Sequence, residues 1–171
     1  MSIVYTIQDR IEEQIKADLI ASLEMAAKDV QRFNAGSQGN IPVADDAGEL
    51  PLAWLLISVD DEEVELAMAE TLVAERKLPV TVTAHLANRL PTGFNSTAQL
   101  VTHWKGLIEK GVMSNPQRTE SGGTDLATET VTVGTFGPVI EEGNREIVCG
   151  VEFEVIYQTR GNDPTQLYAG G

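Results

Sequence analysis

Between Ile147 and Tyr157 every second residue is apolar: Ile147, Cys149, Val151, Phe153, Val155 and Tyr157 form one set, and Glu152, Glu154 and Gln158 fall in the other. Period two is the geometry of a β-strand, whose successive side chains point to opposite faces. One face of this segment must be buried, and a lone strand cannot bury it, so the chain has to build a sheet. A second alternating run supplies a partner. Val80, Val82, Ala84 and Leu86 oppose Thr81, Thr83 and His85, within a long strand predicted over 69–86 with a bend at Pro79. Val131 and Val133 alternate with Thr130 and Thr132, and Gly143-Asn144 predicts the hairpin turn that leads into the final strand. The nearly continuous apolar segment Leu52 to Val59 predicts a strand covered on both faces.

Two segments carry the helical period instead. Thr6, with Asp9 three residues on, can cap a helix in which Ile7, Ile11, Ile15, Leu19, Leu23, Ala26 and Val30 share one face. Glu12, Asp18 and Ser22 intrude on that stripe and predict a partly solvated face; a Gly-, Asn- and Gln-rich stretch over 34–40 ends it. In the second helix Ser96 and Gln99 form the cap, Leu100, Trp104, Leu107 and Ile108 form the stripe, and Gly111 is the predicted stop. The polar segment 114–125 reads as a flexible loop, Arg160 to Pro164 as a turn, and 165–171 as a short flexible tail. The order of elements predicts one α+β domain over 1–171. Its mainly antiparallel sheet has about four or five strands, and two principal helices pack on one face.

Charge narrows the functional classes. Twelve Lys and Arg against 26 Asp and Glu give a net charge of −14. Such a surface repels phosphate backbones and anionic lipid, which argues against sequence-specific nucleic-acid readout and against membrane docking. It leaves room for a protein that surrounds DNA without gripping it. The single cysteine, Cys149, forbids an intrachain disulfide and points to a reducing cytosol. No secretion signal is visible at the N-terminus, and the apolar run from Leu50 to Val59 is about half the length needed to cross a bilayer, so a soluble protein is expected.

Candidate chemistry is sparse. His85 and His103 have no Cys or His at metal-ligand spacing. Cys149 shares the apolar face with Val151 and Phe153, where it serves as a small buried hydrophobe rather than a nucleophile. The run Asp60-Asp61-Glu62-Glu63 lacks the alternation, glycine and distal Glu of a calcium loop and reads as a solvated turn, as does Asp45-Asp46. Gly122-Gly123 is too little glycine for a phosphate cradle, and Asn95-Ser96-Thr97 serves as a helix cap. No catalytic, cofactor-binding or metal-binding residue is assigned, and no enzymatic activity is expected.

What remains is charge placed at different points of one subunit. Glu152 and Glu154 project from the polar face of the last strand, Glu141 and Glu142 flank its hairpin turn, and Arg76-Lys77 form a rare basic spot. Glu120 and Asp125 in the polar loop, with Arg160 and Asp163 at the closing turn, complete the candidate contact residues. Acidic and basic patches on separate surfaces suit a head-to-tail contact between copies, and a merely solvated face accounts for the same residues.

Several short motifs, in this order, resemble the tail-terminator (tail completion, or minor tail) proteins of tailed bacteriophages. They are the amphipathic Ile7-Gln8-Asp9-Arg10-Ile11, the strand Trp54-Leu55-Leu56-Ile57 followed by Asp60-Asp61-Glu62-Glu63, and Arg76-Lys77-Leu78-Pro79-Val80-Thr81-Val82. The last is Val151-Glu152-Phe153-Glu154-Val155-Ile156-Tyr157-Gln158-Thr159 with the closing Gly161-Asn162-Asp163-Pro164. The resemblance implies a homohexameric ring in the virion that caps the tail tube, halts its polymerisation and joins it to the head-side connector. Implied partners are further copies of the chain, the tail tube protein, the neck or connector protein, and the sheath protein where the tail contracts. DNA would pass through the lumen without specific binding. Two other readings stay open: a head-completion or neck adaptor ring, and a cytosolic small-molecule-binding domain.

Overall fold

A computed structural model describes residues 4–36, 39–68, 72–140, 146–161 and 163–168. In chain order these form α1 (Ile7–Leu23), β1 (Val30–Arg32), β2 (Ala53–Val59), β3 (Glu63–Met68), β4 (Val73–Ala87), α2 (Thr97–Met113), β5 (Glu129–Ile140), β6 (Glu146–Arg160) and β7 (Asp163–Leu167). The two alternating segments are β4 and β6. They pair antiparallel along their whole length, from Val73 opposite Arg160 to Ala87 opposite Glu146. This ribbon is the spine of a seven-stranded sheet in the order β1-β2-β4-β6-β5. β3 lies beside the other half of β4, and β7 beside the end of β6. The short β1 runs parallel to β2, and every other pairing is antiparallel, so the α+β architecture expected from the sequence is present with a mixed sheet.

Register puts the apolar sets of the ribbon on one face. Val80, Val82, Ala84 and Leu86 are buried beside Ile147, Cys149, Val151, Phe153, Val155 and Tyr157, as the period-two pattern requires. Both helices cover that face. Ile7, Ile11, Ile15 and Leu19 of α1 and Leu100, Val101, Ile108 and Val112 of α2 join the same core. Each fully buried aliphatic side chain stabilises the fold by roughly 1.5–3 kcal/mol relative to exposure. α1 starts where the sequence says: Thr6 accepts from the Asp9 N–H at 3.2 Å, and Asp9 accepts from the Thr6 N–H at 3.2 Å.

Several expectations are corrected by tertiary context. α1 stops at Leu23, because Glu24 turns into the left-handed region (φ 52). Val30 is then buried from a strand, opposite Leu55, and not from a longer helix. Gly111 does not stop α2. It lies inside the helix, where a Cβ would sit 3.1 Å from Leu19 Cδ2, so it is the point where α2 presses on α1. The strand expected over 69–86 is present as β4 from Val73 onward, residues 69–71 lie outside the described residues, and β3, which was not expected, pairs antiparallel with the first part of β4. Bulges between Thr132 and Gly134 and between Phe136 and Val139 reset the alternation of β5. Before the first bulge the register sets Thr130 opposite buried Val155 and Val131 opposite Glu154, so the threonines and not the valines face inward: Thr130 is buried, donating to the Pro116 carbonyl at 2.6 Å, while Val133 is 59% exposed. β2 is covered by the core at Leu55 and Ile57, but on its other face Leu56 and Ser58 are only half-buried. Residues 165–167, expected in a flexible tail, belong to β7. The Gly143-Asn144 turn lies outside the described residues, although the strands on either side pair as a hairpin does, with Ile140 opposite Ile147.

The segment 114–125 is not a free loop. Asn115 accepts from the Thr119 N–H at 2.8 Å and donates to Asp18, and Arg118 is fully buried. No helix among the described residues is long and apolar enough to cross a membrane.

Candidate assembly surface

Helices cover one face of the sheet only. Alternation and pairing place on the opposite face Glu63 and Glu65 of β3, Glu75 and Lys77 of β4, Glu129 of β5, and Glu146, Glu152 and Glu154 of β6. Half-buried Val131, Ile156 and Pro79 lie among these carboxylates. The face is therefore an apolar sheet surface studded with acid. Lys77 stands as its one lysine among the described residues, opposite Glu63 in the β3–β4 pairing.

Of the contact residues expected from the sequence, Lys77, Glu152 and Glu154 meet on this open face. Glu152 is exposed, and its carboxylate lies over Gly134, where an added Cβ would come within 2.9 Å of Oε2. Arg76 does not join them. Neighbouring strand positions alternate, so Arg76 points to the other side of the sheet and is 8% exposed. There its Nη1 donates to Glu62 Oε2 at 2.7 Å and its Nε donates to Thr159 Oγ1 at 2.8 Å. Tyr157 Oη donates to the same Glu62, and burial together with this carboxylate pushes the phenol well above its usual range. Glu62 is thus not part of a solvated turn: it is the acceptor that ties the β2–β3 connection to β4 and β6. The basic spot read at Arg76-Lys77 is split between the two sides of the sheet.

The remaining candidates are scattered. Glu120 pairs with Arg10, docking the α2–β5 connection onto α1, and this bond raises the guanidinium pKa. Asp125 is exposed and accepts from Thr119 Oγ1 at 2.6 Å. Arg160 is exposed at the end of β6. Asp163 accepts from the Thr165 hydroxyl at 2.5 Å and from the Thr165 N–H at 2.9 Å, bonds that hold its carboxyl below the usual range. Glu141 and Glu142 lie outside the described residues.

Three buried polar groupings escaped the sequence reading. Glu12 is 6% exposed and pairs with Arg32 at 3.0 Å, so the acid that breaks the α1 stripe is neutralised by β1. Asp18 faces Arg118 Nη1 at 3.3 Å, and Arg118 Nη2 also donates to the Val112 carbonyl. Burial lowers the Arg118 pKa to about 10 against the pull of Asp18, and burial raises that of Asp18. On the open face the His85 ring stacks on Trp54 with centroids 4.0 Å apart, and Glu146 takes both ring nitrogens' hydrogen bonds, at 3.1 Å from His85 Nδ1 and 3.3 Å from Trp54 Nε1. Their signal in the sequence was an acid or histidine at a position whose neighbours in the period are apolar or small.

Cys149 is fully buried, and burial raises its thiol pKa, which suits packing and disfavours the thiolate. His103 meets Phe94 edge-on at 5.2 Å. Among the described residues no group of three or more His, Cys, Asp or Glu is placed to hold a metal. The buried ionisable groups instead pair off, each pair joining two elements. The chain matches no known family model and no curated protein.

Proposed function

We propose that this chain is a structural subunit that works by assembling with further copies into a ring. In that reading the ring caps a bacteriophage tail tube, ends its polymerisation and joins it to the head-side connector. The observation that carries the reading is the one-sided cover of the sheet. A face that mixes half-buried apolar residues with the carboxylates of Glu129, Glu152 and Glu154 is built for contact with another macromolecule. The net charge of −14 per copy suits a ring through which DNA slides, because an acidic channel repels phosphate. The short motifs that resemble tail terminators lie mainly on α1 and on β2, β4 and β6, the central strands of the sheet.

Two measurements test this. Native mass spectrometry and negative-stain microscopy of the purified chain are expected to show a closed cyclic oligomer; a monomer at every concentration overturns the proposal. Removal of the gene from its phage is expected to give tails of uncontrolled length. Tails of normal length that fail to join heads would reassign the ring to the neck.

A further inference from the structure

The cations of this chain are unevenly spent. Arg10, Lys28, Arg32, Arg76 and Arg118 are each held in an ion pair within the subunit. Among the described residues Lys16, Lys77, Arg89, Lys105, Lys110 and Arg160 are in none; Arg89 lies in the segment leading into α2, Lys105 and Lys110 lie on it, and α2 carries a single acidic residue, Glu109. In a strongly acidic protein α2 is thus a helix of net positive charge, with Arg89 just ahead of it.

The same helix has an outward stripe of small residues. Ala98, Thr102 and Gly106 are exposed at successive intervals of four, and the line continues to Lys110. Gly106 is the informative member. A glycine inside a helix is less stable than alanine there by roughly 1 kcal/mol. At Gly111 that loss has a reason inside the chain, the close approach of Leu19. At Gly106 nothing lies within 4 Å of where a Cβ would be. The subunit alone gives Gly106 no packing role, and a surface arriving from outside would.

We infer that the outward face of α2 docks against the open, acidic sheet face of a second copy, with Ala98, Thr102 and Gly106 letting the helix lie close to β5 and β6. Arg89 and Lys110 then meet the carboxylates of Glu129, Glu152 and Glu154 in the neighbour. Charge complementarity selects the partner: the surface that matches an unspent basic helix is the acidic face that every copy carries. The two surfaces differ, so the contact is heterologous and propagates around a ring instead of ending at a dimer. The inference rests on the assembly reading above and names its contact.

The test pairs a steric and an electrostatic variant in sedimentation velocity and native mass spectrometry. Gly106→Leu is expected to leave the Tm of the subunit unchanged or raised by ~2–4 °C, while weakening self-association about tenfold or more. A loss of fold would show in the same melting curve. Lys110→Glu with Arg89→Glu, and separately Glu152→Lys with Glu154→Lys, are each expected to weaken association, and the four changes together to restore much of it. If the wild type assembles and both the leucine variant and the charge reversals assemble equally well, the α2–sheet contact is wrong and the ring reading survives. If the wild type never assembles, both fall.

Discussion

At the residue scale, the chain handles buried charge by pairing it across elements, and the pairs differ in what they tolerate. Arg118 is fully buried and Asp18 is its counter-charge. Removing one partner of such a pair leaves an uncompensated charge in the interior, whereas replacing both with apolar groups is often close to neutral. Asp18→Ala is therefore expected to destabilise the fold by about 3 kcal/mol in urea titrations, and Asp18→Ala with Arg118→Met by less than the single change. Asp9 shows the opposite pKa behaviour. Burial raises its pKa, but hydrogen bonds from Thr6 and Arg32 outweigh this and hold the carboxyl below its usual value. Its folded pKa lies below its unfolded one, so its contribution is present above about pH 4 and lost as pH falls through the folded value. Asp9→Asn should flatten that part of the acid limb of the stability curve. Glycine can be as constrained as charge: a Cβ at Gly150 would meet the Phe136 ring at 2.5 Å and the Val82 carbonyl at 2.7 Å. Gly150→Ala is expected to lower stability by about 1–3 kcal/mol, visible as a drop in Tm.

At the element scale, α1 shows how local and tertiary terms divide the labour. Its start is local, a reciprocal cap between Thr6 and Asp9. Thr6→Ala removes one half of that cap and should cost about 1 kcal/mol in chemical unfolding, with no change in oligomeric state. Its end is decided by packing, since the chain must leave the helix for Val30 to reach Leu55 and begin the sheet. β5 is an edge strand, a position that invites uncontrolled strand pairing. Two bulges and Pro138 interrupt its ladder, and this protects the edge. The strand can then present its acidic and apolar side chains to a partner by its face, not by its backbone.

For the whole molecule, the consequential feature is asymmetry: one sheet face under two helices, the other open and acidic, and a basic helix on the covered side. Opposite charges on different surfaces make self-association dependent on ionic strength. Raising salt to about 1 M, where the Debye length is ~3 Å, should shift sedimentation toward smaller species. An assembly held by apolar contact alone would strengthen or stay unchanged. The comparison uses wild-type protein at fixed concentration.

The alternation of apolar residues by itself determined the two central strands and the face each one buries, from Val80 to Leu86 and from Ile147 to Tyr157. It also placed Cys149 in the core, and helical periodicity with capping residues determined where α1 and α2 begin. These features depend on neighbours within a few residues, so they can be read along the chain. Only the tertiary structure decided where α1 ends, that Gly111 is a helix–helix contact, and that the pairing of β5 with β6 turns Val133 outward. It also buried Arg76, by bringing Glu62 and Thr159 within hydrogen-bond reach of its guanidinium. Each of these depends on what lies across a strand pair or a helix crossing, often tens of residues away, and no local pattern carries that information. The open acidic face lies between the two cases: its glutamates were legible on β6, but only the pairing of β3, β4 and β5 beside it brought the others onto the same surface.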